Sequence, residues 1–338
     1  MLAHRSRAIF RTLFRLLIEE TRIYRFLKYR RQFPGLGASA SADLQIFGKL
    51  RYEPGTSIGQ GTSLLIETSG CVSLGKEVFL GRDVEISTDD NLHIGSRSSI
   101  QNFSVVVGRV AIGADCLISY GVMITSGRHY FRLRPNWLIR DQDEFARNTP
   151  ELRNEHHQAI SIEDDCWIGA HAVLTPGVSV GRGSIIGANA VVTSNIPPYS
   201  VAVGAPARVT GKRLQFLPPR QIDSARLDDI PYFYAGFDLA QSHSDSSSAQ
   251  DGFIATGKFC LALAHRNGQK VRLRIRSLAG PAVVLHGSVE ISIPEHWSEI
   301  SFTTSSEMGE RLWFEIIPTT NNPKPAVAIT TAAIDVAG

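Results

Sequence analysis

Apolar residues recur every six positions through the middle of this chain, in two unbroken runs. The runs consist of Ile94, Ile100, Val106, Ile112, Ile118 and Ile124, and then of Ile162, Ile168, Leu174, Val180, Ile186 and Val192. An α-helix repeats about every 3.6 residues and a strand every two, so neither has this period. A fixed short repeat is typical of a solenoid, in which each coil stacks the same side chain on the coil before it. Three steps of six close one triangular coil of roughly 18 residues.

The pattern is interrupted once and changes at both of its ends. We expect the solenoid over residues 44–211, with an inserted loop at 125–161 that is rich in Arg, His and Glu. A long loop that leaves a rigid scaffold usually carries function. Residues 212–250, which end in a serine-rich stretch, are interpreted as a linker. In residues 251–338 short runs of alternating apolar and polar residues predict a separate antiparallel β-sandwich.

The first 43 residues form a basic segment of their own. Apolar residues between Ile9 and Leu27 alternate with arginines and predict an amphipathic helix, which Pro34-Gly35 ends. Residues 1–31 contain nine Lys and Arg against two Glu. The helix therefore either docks on an anionic membrane surface or has a structural role, in which it caps the open end of the solenoid or packs on a partner subunit.

Composition limits the classes of function. The chain has 338 residues, 43% of them apolar, which is enough for more than one domain, and its net charge of +3 predicts no binding to nucleic acid. The four cysteines have no CxxC spacing, so we interpret them as reduced core residues of a cytoplasmic protein. No apolar run reaches the roughly 20 residues that cross a bilayer, which leaves at most peripheral contact with the inner face of a membrane.

Three segments resemble motifs of the hexapeptide-repeat acyltransferases. Residues 122–129 (VMITSGRH) are similar to the family segment that ends in its catalytic histidine, residues 165–170 (DCWIGA) to its WIG turn, and residues 204–209 (GAPARV) to its closing signature. The branch that they resemble most is that of the galactoside and maltose O-acetyltransferases. This resemblance implies a mainly β protein built on a left-handed parallel β-helix. It also implies acetyl-CoA as co-substrate and a homotrimer with active sites between subunits.

The resemblance also assigns roles to individual residues. His129 would be the general base, and the backbone N–H of Ala170 would stabilise the oxyanion. The expected cofactor-binding residues are Trp167, Ala188, Thr193, Arg208 and Lys212, and the expected substrate-binding residues are Asn102, His156 and His157. For Asn102 the alternative is a cap on a turn of the coil. A metal-dependent carbonic anhydrase uses the same solenoid with three zinc-binding histidines, but the histidines of this chain lack that spacing, so no metal is expected.

These residues predict an acetyl-CoA-dependent O-acetyltransferase that acts on a sugar hydroxyl of a bacterial surface polysaccharide or its precursor. An Ala at position 170 and a Ser at position 194 depart from the galactoside branch and favour a different acceptor. Two alternatives stay open. One is N-acetylation of an amino sugar, which depends less on a base, and the other is a non-catalytic solenoid that binds partners.

Overall fold

The computed structural model describes residues 27, 29–149, 152, 158–238, 252–265, 268–278, 280–304, 311–317 and 325–334. They belong to two compact units, residues 1–215 and 216–338. The first unit is a parallel β-solenoid and the second an antiparallel sheet, so the predicted mainly β architecture is confirmed. Most of the predicted basic helix lies outside the described residues. The described part is helical at residues 27 and 29–32, and the helix ends before Pro34 as expected.

The solenoid has three faces, each a stack of parallel strands from successive coils. Face A contains β1 (Gly37–Ala38), β4 (Ser57–Ile58), β7 (Phe79–Leu80), β10 (Ser99–Ile100), β13 (Leu117–Ile118), β16 (Trp167–Ile168), β19 (Ile185–Ile186), β21 (Ser200–Val203) and the antiparallel β22 (Arg208–Lys212). Face B contains β2 (Asp43–Ile46), β5 (Ser63–Ile66), β8 (Glu85–Thr88), β11 (Val105–Val107), β14 (Met123–Thr125), β17 (Val173–Leu174) and β20 (Val191–Val192). Face C contains β3 (Lys49–Tyr52), β6 (Cys71–Leu74), β9 (Asn91–Ile94), β12 (Val110–Ile112), β15 (Ile160–Ile162) and β18 (Ser179–Val180).

The six-residue period fits the later coils, whereas the earlier coils are longer. Ser57 pairs with Phe79, Phe79 with Ser99, and Ser99 with Leu117, so the coil shortens from 22 to 20 to 18 residues. The longer early coils carry four-residue strands on faces B and C. The inward residues of the early coils are therefore out of register with the two runs of six-residue steps.

The apolar residues of the repeat fill the interior of the solenoid. Ile94, Ile112, Ile168 and Val180 are all fully buried. Burying such side chains contributes roughly 1.5–3 kcal/mol each, and stacking them in columns makes the coils cooperate. Cys116 and Cys166 occupy the same interior, and none of the four cysteines forms a disulfide. A hydrogen bond with Cys116, together with burial, raises the pKa of the Cys166 thiol well above its usual value.

Tight turns connect the faces, and we name them the AB, BC and CA corners after the faces that they join. Several turns place a proline directly before a residue with positive φ: Pro54 before Gly55 (82°), Pro176 before Gly177 (82°) and Pro198 before Tyr199 (52°). This is the sequence preference of a type II turn, whose first central residue has the φ that proline imposes. Turns at the CA and BC corners therefore accept proline at this position.

The C-terminal unit is one nine-stranded sheet. Seven strands follow the order β28-β27-β30-β25-β31-β26-β29, while β23 pairs with β31 and β24 with β25. Their bounds are β23 (Gln221–Asp223), β24 (Ala235–Asp238), β25 (Phe253–Ala262), β26 (Lys270–Ser277), β27 (Ala282–His286), β28 (Val289–Ile293), β29 (Ser298–Thr303), β30 (Arg311–Ile317) and β31 (Val327–Ile334). A 3₁₀ helix spans Leu227–Tyr232. The predicted antiparallel β domain is confirmed, and its strands form one continuous sheet around an aromatic core because the long β25 pairs with both β30 and β31.

The structure also revises the expected linker at 212–250. Strands β23 and β24 fall inside this range and pair with β31 and β25, which are distant in sequence. The C-terminal unit therefore begins well before residue 251. Among the described residues, no helix is both long enough and apolar enough to cross a membrane.

Candidate active site

The insertion between β14 and β15 leaves the solenoid at the BC corner and folds on itself. Its helix α1 (Ile139–Arg147) carries Asp141 in the first turn and Arg147 in the last, which suits the helix dipole. Gln142 is buried, and its side chain accepts a hydrogen bond from Arg134 N and donates one to Trp137 O. The guanidinium of Arg134 lies 4.1 Å from the ring centre of Trp137 and 4.3 Å from that of Phe145. These contacts give the loop a defined shape around α1.

His129 contacts a carboxylate that α1 supplies. Its Nδ1 lies 2.5 Å from Oδ2 of Asp143, whose other oxygen accepts a hydrogen bond of 2.7 Å from the backbone N–H of Tyr130. The side chain of Asp143 is only 13% exposed, whereas that of His129 is 81% exposed. A carboxylate can only accept, so Nδ1 donates in this contact, and in the neutral ring Nε2 carries the lone pair. The pair therefore presents an exposed imidazole in the tautomer that a general base requires.

A buried tyrosine anchors this pair to the end of the insertion. Tyr130 is 5% exposed, and its hydroxyl donates a hydrogen bond of 2.7 Å to Leu152 O. At the base of the insertion, Gln158 N donates to Ser126 O and so closes the loop. His129 is thus held from both ends of the insertion. His156 and His157 lie outside the described residues.

Ala170 offers a backbone N–H at the AB corner. In two other turns the matching N–H is covered by a side chain of the next coil: Asn102 Oδ1 accepts from Arg82 N, and Asp164 Oδ1 accepts from Ala114 N. Above Ala170 the next coil has Ala188, which brings no acceptor. Within the described part of the chain, the N–H of Ala170 has no hydrogen-bond partner. It is therefore available to a ligand.

The other predicted residues lie in three places: on face A, at the AB corner and at the BC corner. Trp167 lies on face A, where its side chain is exposed and its Nε1–H donates to Ser119 Oγ at 3.0 Å. Arg208 and Lys212 are exposed at the two ends of β22, next to β21 on the same face. Ala188 is exposed at the AB corner, three coil layers above Asn102 and one above Ala170. Thr193 directly follows β20 and lies with His129 at the BC corner.

Asn102 has a structural contact in this arrangement. Its side-chain oxygen accepts the N–H of Arg82 at 2.8 Å, so it caps a turn of the coil. The alternative interpretation of this residue thus describes a contact that the structure contains.

The structure separates two sets of predicted residues. His129 and Thr193 lie at the BC corner, whereas Trp167, Ala170, Ala188, Arg208 and Lys212 lie on face A or at the AB corner. The AB and BC corners are the opposite ends of face B. One chain therefore does not bring His129 and Ala170 together.

Sequence reasoning missed two features of these corners. The first is Asp143, which a motif search does not find because it lies 14 positions from His129 in an insertion. The second is a column of rings at the AB corner, in which Tyr120 lies 5.3 Å from Phe103 and 5.1 Å from His171. Phe103 and Tyr120 are 17 residues apart, one short of the 18-residue coil step, so the repeat did not indicate this contact.

No group of three or more His, Cys, Asp or Glu residues lies close enough to hold a metal ion among the described residues. This finding concerns the described part of the insertion and the two units, and it does not include His156 and His157.

Comparison with known proteins supports the predicted six-residue repeat. Residues 159–194 match the hexapeptide repeat of succinyl-transferase. The chain is 32% identical over 142 residues to galactoside O-acetyltransferase of Escherichia coli, which covers 40% of this chain and 62% of that protein. It is 33% identical over 111 residues to chloramphenicol acetyltransferase of Agrobacterium fabrum, which covers 31% of this chain and 52% of that protein. The predicted resemblance to hexapeptide-repeat acyltransferases is therefore confirmed.

These similarities cover only part of each protein. The chain spans about six tenths of the first of these curated relatives and half of the second. Among solved structures, a hexapeptide-repeat-containing acetyltransferase from Vibrio cholerae is 20% identical, with a TM-score of 0.30, over 59% of this chain and 86% of that one. The two curated relatives are named for chemically different acceptors, a galactoside and chloramphenicol.

Proposed function

We propose that this protein is an acetyl-CoA-dependent O-acetyltransferase that acts on a sugar hydroxyl, with His129 as general base. The observation that carries the proposal is the contact between His129 and Asp143. It fixes an exposed imidazole with its basic nitrogen directed away from the carboxylate. A base positioned in this way supplies roughly a 10²–10⁴-fold acceleration to the attack of a poorly nucleophilic hydroxyl.

The proposed reaction is a direct transfer. Nε2 of His129 takes the proton of the sugar hydroxyl while the hydroxyl oxygen attacks the thioester carbonyl carbon of acetyl-CoA. The carbonyl oxygen becomes an oxyanion, which accepts a hydrogen bond from the N–H of Ala170. The C–S bond then breaks, and the CoA thiolate takes the proton from the imidazolium, which leaves the acetyl ester and free CoA thiol. Asp143 stabilises the positive charge that the ring carries between the two steps.

We infer that acetyl-CoA lies along face A. The indole of Trp167 would line the channel of the pantetheine arm, and the exposed N–H of Ala188 would meet its amides. Arg208 and Lys212, exposed on β22, would bind phosphate groups of the nucleotide end. Thr193 would contact the same cofactor from the BC corner of a neighbouring subunit. Asn102 would contact the acceptor through its amide while its oxygen caps the coil.

We further propose a homotrimer in which each active site lies between two subunits. The separation of His129 from Ala170 within one chain supports this arrangement, since a neighbouring subunit can bring the BC corner of one chain to the AB corner of another. Exposed apolar side chains also follow face A, where Phe79, Leu117 and Trp167 are 43%, 56% and 51% exposed. A column of this kind is typical of a surface that another subunit covers.

The test is the acceptor-dependent release of CoA thiol from acetyl-CoA, measured over a panel of sugars, amino sugars and glycan oligomers. We expect release with a hydroxyl acceptor and a loss of roughly 10²–10⁴-fold in the His129→Ala variant. The His93→Ala variant is the matched control because His93 is an exposed histidine of face C. Release that persists in His129→Ala would exclude His129 as the base. Release with amines alone would favour the N-acetyltransferase, and no acetyl-CoA binding would favour the scaffold.

A further inference from the structure

The C-terminal sheet presents a row of cations on strand β26. Val271, Leu273 and Ile275 point inward and are buried, so the alternate positions point outward. The outward residues are Lys270, Arg272, Arg274 and Arg276. Positions two apart on a strand are roughly 6.6–6.8 Å apart, which gives a row of about 20 Å. Such a row matches a linear polyanion better than a single small anion.

The strands on both sides of β26 place few charged side chains next to this row. Arg272 pairs with Ala333 on one side and Ser301 on the other, and Arg274 pairs with Thr331 and Glu299. On the outward positions of β23, β31, β26 and β29, the structure places four cations and two carboxylates, Glu299 and Asp223. The face is therefore net positive.

Neither carboxylate neutralises the row strongly. Glu299 lies 3.4 Å from Arg272, but both side chains are about half exposed, and such surface pairs contribute little. Asp223 lies two strands away from the row, on the far side of β31, and accepts a hydrogen bond of 2.9 Å from Ala225 N. The exposed side chains of Lys270 and Arg274 therefore keep positive charge at the surface of β26.

A tryptophan holds two of the guanidinium groups. Cζ of Arg276 lies 4.9 Å and Cζ of Arg274 lies 5.8 Å from the ring centre of Trp297. Both guanidinium groups lie within the distance at which a cation is attracted to an aromatic ring, and this favours their positions beside Trp297. Their planar N–H donors can meet a carboxylate with two parallel hydrogen bonds.

We propose that the outward face of β26 binds a carboxylate-bearing polysaccharide. This inference deepens the proposed function and rests on it for the choice of a glycan, because a domain that holds a polymeric acceptor increases the concentration of hydroxyl groups available to the enzyme. The other polyanions fit less well. Guanidinium groups take the ring on which a nucleobase would stack, and the outward neighbours are small or polar rather than the large apolar residues that enter a lipid surface.

The experiment measures binding of the full-length protein to polygalacturonate by isothermal titration calorimetry, without acetyl-CoA. Dextran of similar length is the uncharged control. We expect binding to polygalacturonate alone, weakened about tenfold in Arg274→Gln and further in Lys270→Gln/Arg274→Gln. Lys258→Gln is the matched control, because Lys258 is an exposed cation that also stacks on a tryptophan, 5.3 Å from the ring of Trp313, on another strand. It should bind as the wild type does.

Each contrary result overturns the inference. If dextran binds as tightly as polygalacturonate, charge has no role in the binding. If Lys258→Gln weakens binding as much as Arg274→Gln does, the β26 face is not the binding site. Stronger binding to duplex DNA or to phosphatidylserine vesicles, lost in Arg274→Gln, assigns the face to another polyanion. The assay needs no acetyl transfer, so its outcome is separate from that of the proposed function. If acetyl transfer occurs but Arg274→Gln binds polygalacturonate normally, only this inference fails.

Discussion

The N–H of Ala170 is open to a ligand because the residue above it in the stack, Ala188, carries no acceptor. Proline at this position would remove that donor and leave the turn intact, since Pro54, Pro176 and Pro198 occupy matching positions before residues of positive φ. We predict that Ala170→Pro lowers kcat by roughly 10²–10³-fold, the usual cost of losing one oxyanion donor, while the melting temperature stays close to that of the wild type.

The control for this variant is Gln60→Pro. Gln60 also stands between two glycines at the AB corner, and its N–H likewise has no partner in the described part of the chain. The kinetic constants and the melting temperature of Gln60→Pro should match those of the wild type. If Ala170→Pro kept full kcat, the donor to the oxyanion would have to be sought elsewhere.

At the scale of single residues, the sequence predicts only some of the site features that the structure shows. Motif similarity singles out His129 and Ala170 because each lies in a short contiguous segment. Motif similarity does not identify Asp143, since the position of this residue depends on how α1 folds back on the start of the insertion. A motif also cannot show that Ala170 and His129 lie at opposite ends of face B, because that separation follows from the coil geometry.

At the scale of elements, the close stacking of the coils explains why glycine often follows the inward residue. A Cβ on Gly113 would lie 2.6 Å from Asp164 N and 2.8 Å from Glu163 C, both backbone atoms of the next coil. We predict that Gly113→Ala destabilises the solenoid by about 1–3 kcal/mol, because the backbone of two coils must separate. Urea unfolding followed by circular dichroism measures this change.

Gly257→Ala provides the comparison. Gly257 lies within β25, and a Cβ there would meet no atom within 4 Å. Alanine costs less conformational entropy than glycine on folding, so this variant should be as stable as the wild type or slightly more stable. Equal destabilisation by both substitutions would mean that close coil stacking is not the reason for glycine at position 113.

Elements with a local signal were predictable, and elements that depend on distant partners were not. The six-residue period predicted the solenoid and its single insertion because every coil repeats the same inward positions. Strands β23 and β24 fell in the expected linker because short segments such as Gln221–Asp223 become strands only through pairing with β31. The extra residues of the early coils similarly appear in the sequence only as a shift in register.

At the scale of the whole molecule, the proposed homotrimer with active sites between subunits can be tested by complementation. His129→Ala and Ala170→Pro should each be nearly inactive as homotrimers. In trimers that contain both, some interfaces join the His129 of one variant to the Ala170 of the other. With equal amounts and random assembly, about one site in four is intact, so co-expressed variants should recover a comparable share of wild-type activity.

Recovery of activity distinguishes an active site between two subunits from an active site within one chain. If His129 and Ala170 served the same site within one chain, every chain in a mixed trimer would lack one of them, and activity would stay at the level of the parents. Purifying the mixed trimers through two different affinity tags ensures that both variants are present. The separately purified variants, combined just before the assay, show the activity without subunit exchange. Recovery limited to the co-assembled sample therefore requires that the BC corner of one subunit completes the AB corner of its neighbour.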